Sequence, residues 1–322
     1  MRIIPWRGAI GRGGPHGQHG PMPDRLVLPA FVALWSSGYV VGALAIGEAD
    51  PLPLLALRFT LAALVAVPLA LRHGRWRGAP LGRLAVVGVL LQVVQFGGVY
   101  GGFALGVPAA LSALVMLGLS PLVTTGLAIG SGQERGDARL WGGLAVGVLG
   151  VAISLAPELG SARAGVGIAV TVVGMLGLAS ATVLQKRWGA VADPRVSVAA
   201  QSVTAAVIVD PAALLLGGHI DLSARLVLCT AWLAWGMGIV SLLVMVSILR
   251  RHAASAVAAL LLAVPAVTAI GSAVALGEAL HPASLAGMLV AMAGIGAVLR
   301  REAAPPVGTA AAPPCPRPLL AD

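Results

Sequence analysis

Residues 84–133 read LAVVGVLLQVVQFGGVYGGFALGVPAALSALVMLGLSPLVTTGLAIGSGQ, fifty consecutive positions without one Asp, Glu, Lys, Arg or His. A helix needs about 20 apolar residues to cross a hydrocarbon core about 30 Å thick. The run is therefore too long for one crossing and right for two, hinged at Gly106-Val107-Pro108. Working outward, further charge-free runs occupy 26–47, 164–185, 226–249, 253–277 and 282–299, and a shorter one occupies 140–157. Segments 53–71 and 196–217 each carry a single charge, Arg58 and Asp210. The sum is an all-α integral membrane protein of ten transmembrane helices.

Composition agrees. Charged side chains make up 10% of the 322 residues, against about 25% in soluble domains. Hydrophobic residues reach 58% and the mean hydropathy is +0.94. A soluble enzyme, a disordered chain and a disulfide-stapled secreted domain are excluded. The net charge of +9 would suggest nucleic acid for a soluble chain, but in a membrane protein it reflects basic cytoplasmic loops. No nucleic-acid partner is expected. Cys229 and Cys315 form no CxxC pair, and Cys229 reads as a small core residue. The histidines lack metal-ligand spacing, so no metal or other cofactor is expected. The sole lysine, Lys186, lies in VLQKRW, which excludes a GxxxxGK[ST] phosphate loop.

Basic residues set the orientation. With the N-terminus cytoplasmic, eighteen Lys and Arg fall on the cytoplasmic side, Arg163 and Arg225 fall opposite, and Arg58 lies within a span. Both termini are then cytoplasmic in a multi-pass membrane protein. Residues 1–25 form an arm expected to be disordered, whose Met22 is an alternative start, and 301–322 form an Ala/Pro-rich tail also expected to be disordered.

The chain repeats internally. At an offset of 144, Pro121 falls on Pro265, Glu134 on Glu278, Gly143 on Gly287 and Gly150 on Gly294; at 143, Pro68 falls on Pro211. Repeat one spans 26–157 and repeat two 164–300, five helices each. An odd number makes the second copy enter the membrane from the opposite side. Such inverted repeats are an architecture of secondary transporters.

The sequence resembles the drug/metabolite transporter superfamily, and within it the ten-helix EamA type. The likeness rests on LWSSGYVVGALAI (34–46), LALRFTLAALVAVPLAL (55–71), ALGVPAALSALVMLGLSPLVTTGLAI (104–129) and the stretch 260–299 with its Gly277-Glu278 pair. The first repeat departs from the pattern in placing Gln133 before Glu134. The resemblance implies an inner-membrane carrier, commonly an exporter of amino acids, related metabolites or amphiphilic drugs. It also implies a central cavity lined mainly by the first, third, fourth, sixth, eighth and ninth helices, with the fifth and tenth peripheral.

Charges inside a membrane are candidates for function. Arg58 and Asp210 lie at similar depth and could pair, with Asp210 exchanging a proton and Arg58 tuning it or holding an anionic substrate group. The structural reading, favoured for Asp210, is that Asp210-Pro211 ends the seventh helix early. Gln92 and Gln95 share a stripe with Val99 and Gly102 at helical spacing, suited to hydrogen-bonding a polar substrate or a neighbouring helix. Tyr39, Tyr100 and Trp235 are further substrate-pathway candidates. An interfacial belt is the competing role for Tyr100, and Trp232 reads as an interfacial anchor. Pro121 and Pro265 are expected to kink equivalent helices and gate the two halves. Glycine rows 97/101, 98/102 and 143/147 mark close helix packing.

The expected activity is secondary transport by alternating access, with no enzymatic step, driven by the substrate gradient or by protons. Its partners are a small-molecule substrate and the lipid bilayer, and a homodimer is compatible with such a chain. The alternative is a nucleotide-sugar or sugar-phosphate exchanger, weakened by the shortage of cavity cations. A membrane enzyme ranks lower, for want of clustered His, Asp or Glu.

Overall fold

A computed structural model describes residues 24–120, 123–124, 126, 138–157, 162–188, 192–240 and 263–302. The described residues are helical apart from short connections and one isolated bridge, Ala49 to Ile220. Among the described residues, five helices are long and apolar enough to cross a membrane: 29–46 within α1 (Asp24–Ile46), α2 (Pro51–His73), α3 (Leu81–Ala104), 164–185 within α6 (Ala162–Trp188) and α7 (Pro194–Leu216). The shorter apolar helices are α4 (Ala109–Leu119), α5 (Ala138–Leu155), α9 (Val264–Leu276) and α10 (Pro282–Glu302), whose apolar part is Pro282–Gly294. The eighth, α8, runs from Ala224 to Ala231 and continues as a wide π-helical stretch over Trp232–Val240.

The hinge expected at Gly106-Val107-Pro108 is present. α3 stops at Ala104, Gly106 takes a φ of +89° that suits glycine, and α4 starts after Pro108. α9 closes on Gly277 at φ +68°, whose successor Glu278 donates its backbone N–H to the Ser272 carbonyl. The π stretches lie at Val89–Val94 in α3, Val115–Leu119 in α4 and Trp232–Val240 in α8. Moved by the repeat offset of 144, 89–94 becomes 233–238, inside the α8 stretch. Wide turns of this kind are rare and frequently sit at functional sites.

α4 is the innermost element, with every side chain from Ala109 to Met116 buried. Around it α1 packs on α9, α2 on α7, α3 on α6, and α5 on α10. Small residues bring the backbones close, as expected where apolar burial gives helices no preference over lipid. A Cβ on Gly98 would meet the Gly174 backbone, and one on Gly101 would reach Val170 at 3.1 Å. Gly97 has nothing within 4 Å, so that member of the expected rows makes no close contact. In the α5–α10 pair, Gly150 faces the Gly287 carbonyl and Gly294 faces the Gly143 carbonyl, so the two helices run antiparallel. Outward-facing Leu64, Val207, Leu214, Leu215, Val274 and Leu289 give the helical surface its apolar coat.

Candidate functional site

α2 and α7 lie antiparallel and are tied at both ends. Asp50, which precedes Pro51 at the start of α2, accepts the His219 backbone N–H on Oδ2 at 2.7 Å. Asp193, which precedes Pro194 at the start of α7, accepts the Arg75 backbone N–H on Oδ2 at 3.2 Å and its own helix's Arg195 N–H on Oδ1 at 2.9 Å. The Arg195 N–H above all, joined by the Arg75 N–H and both arginine charges, holds the Asp193 carboxyl below the usual carboxylate range. Proline suits the first helical position because its missing N–H would have had no partner there. Each clamp therefore joins the start of one helix to the loop leaving the other. On the Asp50 side, Glu48 also accepts from Ser223 Oγ at 2.9 Å and pairs with Arg225 at 3.5 Å.

Between the clamps α2 and α7 leave a groove of about 600 Å³, walled by Thr60, Ala63, Leu64, Val67 and Pro68 from α2 and Val203, Ala206, Val207, Asp210 and Pro211 from α7. Asp210 does not end α7, which continues to Leu216 with Pro211 inside it. An Asp-Pro pair reads as a helix stop in water. In an apolar interior the backbone keeps its hydrogen bonds instead, because leaving them unmade costs several kcal/mol, about 2–7. Thr60 Oγ1 donates to Asp210 Oδ2 at 2.7 Å, while Oδ1 is buried without a partner.

Arg58 points elsewhere. It is buried, donates from Nη1 to the Tyr100 hydroxyl, and stacks its guanidinium 3.7 Å from the Phe96 ring centroid and 5.6 Å from that of Tyr100. The expected Arg58–Asp210 pair is not formed. Arg58 finds aromatic faces on α3, which attract a planar, weakly hydrated cation. Tyr100 is fully buried, which speaks against the interfacial belt, its competing role. It packs beside Phe103 and against Gly42 of α1, where an added Cβ would come within 2.9 Å of the Tyr100 ring.

Residues 26–156 match the model of the EamA-like transporter family. The match covers less than half of the chain. Over that segment the chain is similar to membrane transporters of the drug/metabolite transporter superfamily, and its apolar helices point to a multi-pass membrane protein. A crystal structure of a protein 21% identical to this chain superposes with a TM-score of 0.57, covering 85% of this chain and 96% of the other. That likeness shows a shared fold. No curated protein matches the sequence.

The matched segment contributes most of the sequence-predicted positions, in different settings. Tyr39 is buried in the core beside Tyr100. Gln92 sits within the π stretch of α3 and Gln95 just after it, both half-buried, and Gln95 Oε1 is buried without a partner. The stripe that joined them to Gly102 does not hold at one helical phase, because a π turn shifts every later side chain around the axis. Gly102 and Gly98 face α6. In α8, Trp235 donates Nε1 to the Leu61 carbonyl at 3.2 Å, and Trp232 donates Nε1 to Ser37 Oγ at 3.0 Å; both rings are partly exposed. Cys229 lies in the core as expected. Pro121 and Glu134 lie outside the described residues. Pro265 is in the first turn of α9 as described, where a proline costs no helical hydrogen bond, so it opens that helix and does not kink its middle.

Several polar contacts were not anticipated from sequence. Glu278 closes the loop after α9 onto α4, both carboxylate oxygens accepting the Ala109 N–H at 3.1 and 3.3 Å, where the helix dipole favours a negative charge. Gln201 of α7 donates to Gln185 of α6 at 3.0 Å. The two clamps had a signal that could have been found: Ala49-Asp50-Pro51 recurs as Ala192-Asp193-Pro194 at the offset of 143.

Proposed function

We propose that this protein is a secondary-active transporter that works by alternating access between two inverted five-helix repeats, α1–α5 and α6–α10, each helix crossing the membrane. The observation that carries the reading is the reciprocity of the contacts. Gly150 meets Gly287, the offset partner of Gly143, and Gly143 meets Gly294, the offset partner of Gly150. Contacts exchanged in this way are the mark of a two-fold axis. Because the paired helices are antiparallel, that axis runs across them and hence along the membrane plane. The α2–α7 pair repeats the pattern: every groove residue of α2 has its partner at offset 143 in the groove wall of α7, and the two Asp-Pro clamps exchange likewise.

Two packings of similar energy related by such an axis would present one internal site to each face in turn. The substrate path runs along Tyr39, Arg58, Gln92, Gln95, Tyr100 and Trp235, with Asp210 as the coupling carboxylate that takes up and releases a proton. Pro121 and Pro265, paired by the repeat offset of 144, serve the gates. The substrates are amino acids, related small metabolites or amphiphilic drugs, moved outward across the plasma membrane, with both termini cytoplasmic.

Two measurements test this. In a variant lacking Cys229 and Cys315, a cysteine introduced at Ala279 is expected to react with an impermeant maleimide from outside the cell, and one at Gly136 only after permeabilisation. Labelling of both from one side would end the inverted-repeat reading. For transport, cells overexpressing the protein are expected to resist one class among toxic amino-acid analogues and cationic drugs, and Asp210→Asn at equal expression is expected to lose that resistance. Correctly inserted protein that leaves the accumulation of every compound unchanged would count against export.

A further inference from the structure

We propose that the groove between α2 and α7 is a binding site for an apolar organic cation dissolved in the bilayer, its ammonium held at Asp210 and its body lying across Leu64 and Val207. The groove opens sideways: Leu64 is 64% exposed and Val207 66%, on a surface that the fold gives to lipid. Its volume of about 600 Å³ falls in the range of small-molecule sites, roughly 300–1,000 Å³. The walls are apolar, and what polarity they carry is acceptor in kind. Asp210 Oδ1 is buried and unpartnered, and the Thr60 hydroxyl proton is already committed to Oδ2. Pro68 and Pro211 remove the N–H groups that would otherwise bond the carbonyls four residues back, those of Leu64 and Val207, and both residues line the groove.

A ligand filling this space must therefore bring donors and positive charge. Among the described residues no cation pairs with Asp210; the nearby candidate, Arg58, is spent on Phe96 and Tyr100. An anion would be repelled, and a neutral alcohol would leave the charge uncompensated in an apolar setting, where an unpaired ion is costly. The symmetry of the groove makes the point sharper. The offset partners of Thr60 and Asp210 are Val203 and Val67, so a groove built twice over is made polar at one end only. That end fixes where the ammonium goes and which way the apolar body runs.

The structural alternative is that Thr60 and Asp210 only staple α2 to α7. Asp210→Asn separates the two, because an amide oxygen can still accept from Thr60 while the charge is gone. The experiment is calorimetric titration of the full-length protein in phosphatidylcholine nanodiscs with decylammonium, with decanol and decanoate as chain-matched controls and empty nanodiscs as the partition blank. Saturable binding of decylammonium, one per protein, is expected, with neither control saturating. Asp210→Asn is expected to weaken it by about tenfold or more, the scale of one charge-assisted hydrogen bond. Ala206→Leu, which fills the groove and leaves the carboxylate in place, is expected to weaken it to a similar degree and carries the test if Asp210→Asn inserts poorly. Decanol binding as tightly as decylammonium, unchanged affinity in either variant, or no binding above the blank would overturn the assignment. Binding is read without transport, so the result stands apart from the transport reading.

Discussion

Gly287→Leu is expected to remove most of the folded protein from the membrane, whereas Gly142→Leu is expected to behave like the wild type. The two glycines lie in the α5–α10 pair and differ in what a side chain would meet. A Cβ on Gly287 would sit 2.6 Å from the Gly150 carbonyl oxygen, 2.6 Å from Ser154 Oγ, and closer still to the Ser154 backbone nitrogen. Backbone cannot rotate aside as a flexible side chain can, so the helices must separate. Separation would also break the Ser154 Oγ bond to the Ser284 carbonyl, 2.8 Å long and buried. Overpacking a well-packed core costs roughly 1–3 kcal/mol, and more where backbones meet; association in lipid rests on this close approach. Gly142 has nothing within 4 Å of its added Cβ. The check is the monodisperse fraction on size-exclusion chromatography together with the thermal midpoint. Equal values for the two variants would mean that α5 and α10 do not meet as described.

By the reciprocity of the interface, Gly150→Leu should match Gly287→Leu in severity, since its Cβ would meet the Ala291 backbone and the Gly287 carbonyl at 2.7 Å. That equivalence shows what was legible in the sequence. The glycines at 143, 150, 287 and 294 were visible as a repeat, and their contacts explain why they are glycines. The charge-free runs coincide with the described helices, and Gly106 and Pro108 mark the hinge, because both signals are local and act through backbone geometry or solvation. Positions that depend on a partner were read poorly. Read by its own Pro211, Asp210 favours a helix end, whereas Thr60, 150 positions away in sequence, determines its hydrogen bond. The depth of Tyr100 leaves an interfacial belt open as a competing role, and its burial depends on Arg58, Phe103 and Gly42 converging from two other helices and its own. The π stretch at 89–94 shifts the phase of α3, which no count at 3.6 residues per turn can register. The repeated Ala-Asp-Pro triplet is short against an Ala-rich background and gains meaning only once Asp50 and Asp193 are seen to hold each other's loops.

Arg58 offers a second large effect, and the replacements divide it into parts. Arg58→Ala is expected to lose both folding and transport: it leaves a cavity and strands the Tyr100 hydroxyl, whose unmade bond costs about 1–3 kcal/mol. It also removes a desolvated cation–π contact with Phe96 worth about 2 kcal/mol. Arg58→Lys is not expected to rescue it, since an ammonium has no flat face to lay on Phe96 and desolvates less readily. Arg58→Met should fold better than Arg58→Ala, because an apolar chain of similar length fills the volume, although it too leaves the Tyr100 hydroxyl without its donor. If Arg58 serves the substrate path, this same variant must lose transport by about tenfold or more, the loss of one charged contact, while folded yield and thermal midpoint stay above those of Arg58→Ala. Met and Ala thus share the loss of charge and differ in the loss of packing. Transport by Arg58→Met at the wild-type rate would reduce Arg58 to a cation that fastens α2 to α3, and would pass the polar role in the interior to Gln95, whose Oε1 is buried without a partner.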